Sequence, residues 1–191
     1  MAETLNILSI CGSLRKGSFN AALQRTLPQL APSGMDIKAA TLSFATLPLY
    51  NFDDHQATGV PGVVNEYAAL IKSADGVIIV SPEYNWTIPA GLKNLIDWLS
   101  RLKDQPFKEK PIAIQSCAGG ILGGSRMQYH LRQCLTSLDA IFFTRPEVIV
   151  TMSAQKFDDK TLELKDQATR DMVKSHLEGY DKLVRRWTGK K

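Results

Sequence analysis

Leu5-Asn-Ile-Leu-Ser-Ile-Cys11, followed directly by Gly12-Ser-Leu-Arg-Lys-Gly-Ser-Phe-Asn20, decides how the chain reads. The first seven residues form an apolar run of strand length. The next nine are rich in Gly and hydroxyl side chains. From Ala21 to Leu30 the apolar positions recur at helical spacing. Strand, polar glycine loop and helix start together make a ready anion site. Backbone N–H groups and the positive end of the helix dipole meet there. Ser13, Ser18, Asn20 and Arg15 add donors suited to a phosphate monoester. Gly12 and Gly17 have P-loop spacing, but Ser18-Phe19 stands where Lys-Ser/Thr is required. That argues against nucleoside triphosphates. The pattern is not G-x-G-x-x-G either, which argues against a dinucleotide at this turn. A mononucleotide with one terminal phosphate is left. The alternative is a Ser/Asn-rich helix cap with no ligand.

Outward from that loop, apolar runs alternate with helical patterns. Asn20–Leu30 is the first helix, stopped by Ala31-Pro32-Ser33-Gly34. Asp36–Leu42 reads as a strand towards an edge. Ser43–Gly62 reads as a long irregular stretch, a length that often marks function. Val63–Ser73 is helical. Gly76-Val-Ile-Ile-Val80 is a continuous β-branched run, the mark of a central parallel strand covered on both faces. It empties into Ser81-Pro-Glu-Tyr-Asn-Trp86. Helices are expected over Pro89–Arg101, Arg126–Leu138 and Lys165–Trp187. Strands are expected over Pro111–Ser116 and, broken by Thr144-Arg-Pro-Glu147, over Ile141–Phe143 and Val148–Val150. Ser153–Lys160 reads as a polar loop.

Five strands alternating with five helices imply an α/β fold: a doubly wound parallel sheet with helices on both faces. A phosphate loop at the first turn fits the flavodoxin-like order 2-1-3-4-5. One domain spanning residues 1–191 is expected from this length. In such sheets ligands sit at the carboxyl ends of the strands. Here those ends are Gly12–Asn20, Pro82–Trp86 and Ser116–Gly120. The second loop offers Glu83 and Asn85 as polar groups and Tyr84 and Trp86 as flat faces, stiffened by Pro82 and Pro89. It suits a planar heterocycle with amide edges; a rigid strand–helix connector is the alternative.

Composition closes off other classes. No apolar run approaches the ~20 residues that span a bilayer. Met1-Ala-Glu-Thr-Leu5 lacks a basic leader pattern, so a cytoplasmic protein is expected. Cys11, Cys117 and Cys134 are odd in number and far apart, which opposes a disulfide framework and a zinc site. His55, His130 and His176 lack ligand spacing, and no metal is assigned. The formal net charge is +4, with Lys182, Arg185, Arg186, Lys190 and Lys191 crowded at the C-terminus. Without aromatic-basic interleaving, nucleic acid is not an expected partner. A mildly basic surface steers anionic small molecules.

Three motifs in register, Gly12-Ser-Leu-Arg-x-x-Ser-x-Asn20, Pro82-Glu-Tyr-Asn85 and Pro89-x-x-Leu-Lys-Asn94-x-Ile-Asp97-Trp98, resemble the NADPH-dependent FMN reductase family. The resemblance is strongest to its bacterial quinone reductases, also described as soluble chromate reductases. It runs on through Gly123-Gly-x-Arg126-x-Gln128-Tyr129-x-Leu131-Arg132 to Pro146-Glu147. It implies FMN as cofactor, NADPH or NADH as hydride donor, quinones and anions such as chromate as acceptors, and a homo-oligomer, dimer or tetramer. It maps the phosphate grip onto Gly12, Ser13, Leu14, Arg15, Lys16, Gly17, Ser18, Phe19 and Asn20. Pro82, Glu83, Tyr84 and Asn85 fall around the ribityl chain and ring, with a third contact at Ser116 or Cys117. Relatives often carry a hydroxyl at the second of these, and a thiol donates weakly. Catalysis then lies with the flavin and needs no catalytic side chain; ping-pong turnover follows. Arg101 is read either as a substrate-anion contact or as a cation at a helix C-terminus. Trp86 is read as a substrate contact that could come from either side of a subunit interface, and Arg126, Tyr129 and Glu147 as interface residues or, alternatively, an intrasubunit network. The rival reading is a flavodoxin-type electron carrier, which the net basic charge disfavours.

Overall fold

A computed structural model of the chain describes residues 3–191. Met1 and Ala2, part of the leader reading, lie outside them. Five strands form one parallel sheet in the order β2-β1-β3-β4-β5. They are β1 (Leu5–Cys11), β2 (Met35–Ala39), β3 (Gly76–Ser81), β4 (Pro111–Cys117) and β5 (Ile141–Val150). The helices are α1 (Phe19–Leu30), α2 (Phe52–Thr58), α3 (Gly62–Ser73), α4 (Ala90–Leu99), α5 (Ser125–Thr136), α6 (Ser153–Lys156) and α7 (Gln167–Thr188).

The pleat sorts each apolar run onto two faces. Leu8, Ile10, Val77, Ile79, Ile112 and Ile114 pack in one cluster with Leu92, Leu95 and Trp98 of α4 and Met127 and Leu131 of α5. Leu5, Ile7, Ile78, Val80 and Ala113 alternate with them in the other cluster, with Leu23 and Leu27 of α1 and Val173, Leu177 and Tyr180 of α7. That alternation is why β3 and β4 are buried along their whole length. On α7, the buried Tyr180 hydroxyl lies within hydrogen-bond distance of Val77 O (3.1 Å) and Pro111 O (2.9 Å), so its single proton has an acceptor in the sheet.

Three elements depart from the sequence reading. The stretch 43–62 contains α2, capped by Asn51, whose Oδ1 accepts from Asp53 N at 3.0 Å. None of its residues is buried, so no apolar period announces it. Ser153–Lys156, read as loop, forms α6. Strand β5 runs unbroken through Arg145-Pro146. It is an edge strand, where a missing proline N–H leaves no ladder bond unmade, and the register shifts between Ala113 and Gln115 to absorb the extra residues.

The segment before α2 is tied down by the third motif. Asn94 Nδ2 donates to Leu47 O (3.2 Å) and Pro48 O (2.9 Å), while its Oδ1 accepts from Tyr50 N (2.9 Å). Trp98 Nε1 donates to the same Pro48 O at 2.8 Å. These two motif residues therefore act as a loop clamp on the outer side of α4.

Candidate functional site

The loops that follow β1, β3 and β4 meet at one cleft of about 340 Å³. Ser13, Arg15, Ser18, Phe19 and Asn20 line one wall; Pro82, Glu83 and Tyr84 line another; Cys117, Ala118 and Gly119 close it. Ser153 and Ala154 of α6 complete the lining. The sequence reading missed these last two, because a four-residue helix leaves no periodic signal.

The first loop is shaped by Gly12. A Cβ there would meet Ser81 Oγ, with Ser81 Cβ at 2.8 Å and Leu92 Cδ2 at 2.9 Å. Ser81 is fully buried and cannot yield. Gly12→Ala is expected to cost about 2 kcal/mol by overpacking and to displace the loop. Gly17 is the control, since a Cβ there meets nothing within 4 Å. Urea unfolding checks the pair: an equal midpoint for Gly12→Ala and Gly17→Ala would remove the crowding argument.

The donors of this loop divide into spent and free. Ser18 is the N-cap of α1: its Oγ accepts from Asn20 N (3.2 Å) and Ala21 N (3.3 Å). The Asn20 amide is committed across the cleft floor. Its Nδ2 donates to Cys117 O at 2.8 Å, and its Oδ1 accepts from Cys117 N at 3.0 Å. Asn20 thus joins α1 to β4 rather than offering a free donor. Arg15 Nη2 donates to Gly17 O at 2.5 Å, and Arg15 N to Ser13 Oγ at 3.4 Å. Among the described residues, the backbone N–H groups of Ser13, Leu14, Lys16, Gly17 and Ser18 have no protein acceptor. Unspent main-chain donors, a guanidinium and a helix N-terminus fit a phosphate. Leu14, Lys16 and Gly17 are exposed and do not line the cleft with their side chains.

Glu83 holds the second and third loops together. Its Oε2 accepts from Met127 N (3.1 Å) at the start of α5, and its Oε1 lies 3.6 Å from Arg126 Nη1. Gly124, the N-cap of α5, has φ +91° and no side chain to cap with; the Glu83 carboxylate supplies the missing acceptor. Ser116 lies beneath, fully buried, its Oγ accepting from Gln128 Nε2 at 2.8 Å. It is a packing residue of β4, outside the cleft lining. Burial pushes the Cys117 thiol up to about 12, against a smaller opposing hydrogen bond with Ser153. At that value the sulfur stays protonated and un-nucleophilic, a wall rather than a reagent.

The remaining candidates are scattered. Asn85 and Trp86 occupy an exposed turn next to the cleft. Arg101 lies beyond the far end of α4, its guanidinium 5.0 Å from the Tyr50 ring centroid, in a hollow with Lys93, Asp97 and Ser137. It shares no wall with the cleft. Tyr129 is exposed on α5, with the Arg132 guanidinium 5.4 Å from its ring. Glu147 pairs with Arg132 at 3.2 Å. Among the described residues no cluster of His, Cys, Asp and Glu is arranged to hold a metal ion, and no helix is long and apolar enough to cross a membrane.

Comparison with known proteins gives the family. The family model for NADPH-dependent FMN reductase matches residues 5–155, which include all three cleft loops. The quinone reductase of Escherichia coli (strain K12) is 47% identical over 186 residues, covering 97% of this chain and 98% of that protein. An NAD(P)H-dependent FMN reductase of Pseudomonas aeruginosa is 40% identical over 189 residues, 99% of this chain and 100% of that protein. Among solved structures, FerB, a flavoenzyme NAD(P)H:(acceptor) oxidoreductase from Paracoccus denitrificans, superposes with a TM-score of 0.83. Its identity is 27%, covering 96% of this chain and 98% of that one. With the sheet order, the phosphate-competent loop and full-length relatives in agreement, the chain belongs to the NADPH-dependent FMN reductase family.

Proposed function

We propose that this protein is an NAD(P)H-dependent, FMN-containing quinone reductase. The observation that carries the reading is the convergence of three strand-end loops on one cleft, with unspent main-chain donors at the start of α1. Bound FMN would supply hydride acceptance and two-electron transfer. Overall, NADPH and a proton convert a quinone to its quinol and leave NADP+. The chain's own work is binding and orientation. The free N–H groups of the first loop and Arg15 would hold the phosphate, and Pro82, Glu83, Tyr84, Ala118 and Gly119 would border the rest of the cofactor. Glu83 keeps α5 in place against the cleft, and the protonated Cys117 adds no competing nucleophile. A single open cleft admits donor and acceptor by turns, which makes turnover ping-pong. Chromate belongs among the acceptors as an oxidised anion drawn to a mildly basic surface. The protein works in the cytoplasm as a homodimer or homotetramer, with Arg126, Tyr129 and Glu147 at the subunit contact.

The test is direct. Purified protein is given FMN, freed of excess, and mixed with NADPH and then a quinone. FMN uptake and quinone-dependent NADPH oxidation are expected; protein that takes up no FMN ends the reading. Arg15→Ala is expected to weaken FMN binding about tenfold or more, since a charged hydrogen bond is worth ~1.5–3 kcal/mol. Titration by flavin fluorescence measures it, and an unchanged dissociation constant removes Arg15 from the phosphate site.

A further inference from the structure

The turn after β5 is fastened to the cleft by its main chain. Ala118 N donates to Val150 O (3.0 Å), Met152 N to Gly120 O (3.3 Å) and Ser153 N to Ala118 O (3.2 Å). These three bonds fix the start of α6 to the loop that follows β4. Met152 enters the turn in the left-handed region, with φ +48°, a conformation a non-glycine residue keeps where its surroundings over-determine it. At the far end of α6, the Phe157 ring packs on Phe19, the first residue of α1, with centroids 5.2 Å apart. The short helix is therefore held between the end of β4 and the start of α1, and Ser153 and Ala154 line the cleft there.

Ser153 is 2% exposed, and its side chain hydrogen-bonds with the Cys117 thiol. That thiol keeps its proton, so it donates and the Ser153 oxygen accepts. The hydroxyl proton is left over, on a side chain that lines the cleft at a poorly hydrated point. An unmatched donor in such a place is destabilising until an acceptor reaches it. The nature of that acceptor follows from the neighbours. Cys117 is also the residue that Asn20 holds, through its N–H at 3.0 Å and its carbonyl at 2.8 Å. Ser153 and the start of α1 thus share one neighbour. At that start lie the N–H groups of Gly17 and Ser18, which have no protein acceptor among the described residues.

We propose that Ser153 is a cofactor contact from a fourth loop, its hydroxyl donating to the FMN phosphate together with the main-chain donors of the first loop. This rests on the FMN reading. A phosphate oxygen carries charge and makes the stronger kind of hydrogen bond, which a ribityl hydroxyl does not. Ser153 therefore contributes to the preference for FMN over riboflavin, which has no phosphate.

Two variants test it by titration of the flavin-free protein with FMN and with riboflavin, followed by flavin fluorescence. Ser153→Ala removes one oxygen and leaves the Ser153 main-chain bond to Ala118 in place, so the fold is retained. Ser153→Thr keeps the hydroxyl. The ratio of FMN to riboflavin affinity is expected to fall about tenfold in Ser153→Ala and to stay near that of the unaltered protein in Ser153→Thr. An unchanged ratio in Ser153→Ala overturns the contact. So does an equal loss of both flavins, which would make Ser153 a wall of the ring or ribityl site. A ratio in Ser153→Thr as low as that in Ser153→Ala overturns it as well. If the unaltered protein binds no FMN, the FMN reading itself fails and takes the contact with it.

Discussion

Asn20→Ala is expected to cost about 4 kcal/mol of stability and to loosen the cleft. Asn20 and Cys117 are both buried, at 4% and 2% exposure. The asparagine amide satisfies the N–H and the carbonyl of Cys117 at once. Truncation removes the partner of both main-chain groups at the poorly hydrated cleft floor, at ~1–3 kcal/mol each. Against a typical total of ~5–15 kcal/mol, that is a large share. It also has a functional side. The two bonds are the direct tie between the start of α1, which carries the phosphate-competent loop, and the end of β4, which carries Ala118 and Gly119. With the tie cut, the two walls lose their fixed separation, and FMN affinity falls with stability. Urea unfolding at neutral pH and FMN titration check the two effects; an unchanged unfolding midpoint would show that the tie carries no energy. Asn20→Asp is expected to be no milder, because a carboxylate accepts from the Cys117 N–H but repels its carbonyl.

Acid should remove about 3 kcal/mol of stability between pH 6.5 and pH 4, through His176. This histidine is buried on α7, with Nδ1 2.7 Å from Pro146 O and the Phe143 ring at 5.1 Å. A carbonyl only accepts, so Nδ1 carries the proton and donates, and Nε2 is the lone-pair nitrogen without a partner. Burial pushes its pKa down to about 4 from the usual 6.5, more than the Pro146 hydrogen bond raises it, and Arg132 adds to the depression. The sign follows from proton counts. Between pH 6.5 and pH 4 the unfolded chain binds a proton at this site and the folded chain does not, so stability falls as pH falls. It is fully present above 6.5 and lost progressively down to the folded value, at 1.36 kcal/mol per unit. Asp166, lowered to about 2 mainly by its Thr169 hydrogen bonds, weakens only in more acid solution and is separable. Urea midpoints across this range should slope, and His176→Gln should flatten the slope. A slope of the same size in His176→Gln would assign it to other groups.

How far the sequence went is clearest at particular residues. Gly12, Gly17 and Ser18 after an apolar run announced a strand-to-helix loop with unpaired main-chain donors, since such donors at a helix start depend on local residues alone. The runs Leu5–Cys11 and Gly76–Val80 announced the strands for the same reason. Asn20 was legible as a polar residue of that loop but not as the partner of Cys117, which lies 97 residues away. Glu83 was legible as a polar group in the second loop but not as the carboxylate that completes the N-terminus of α5. Arg101 looked available from its charge, yet α4 carries it to the end opposite the cleft. Ser153 and Ala154 had no local signal at all and enter the site only because the turn after β5 folds over Cys117.

The sequence by itself determined the alternation of strands and helices, the flavodoxin-like order and the family. All of these rest on local periodicity or on short motifs that keep their spacing. Tertiary structure alone decided which of the polar residues are spent and which are free. A hydrogen-bonding side chain can satisfy a neighbour or a ligand, and the choice depends on which main-chain groups the packed sheet brings within reach. In the opening loop that choice commits Ser18 and Asn20 to the protein and leaves the main-chain N–H groups of Ser13, Leu14, Lys16, Gly17 and Ser18 without a protein acceptor.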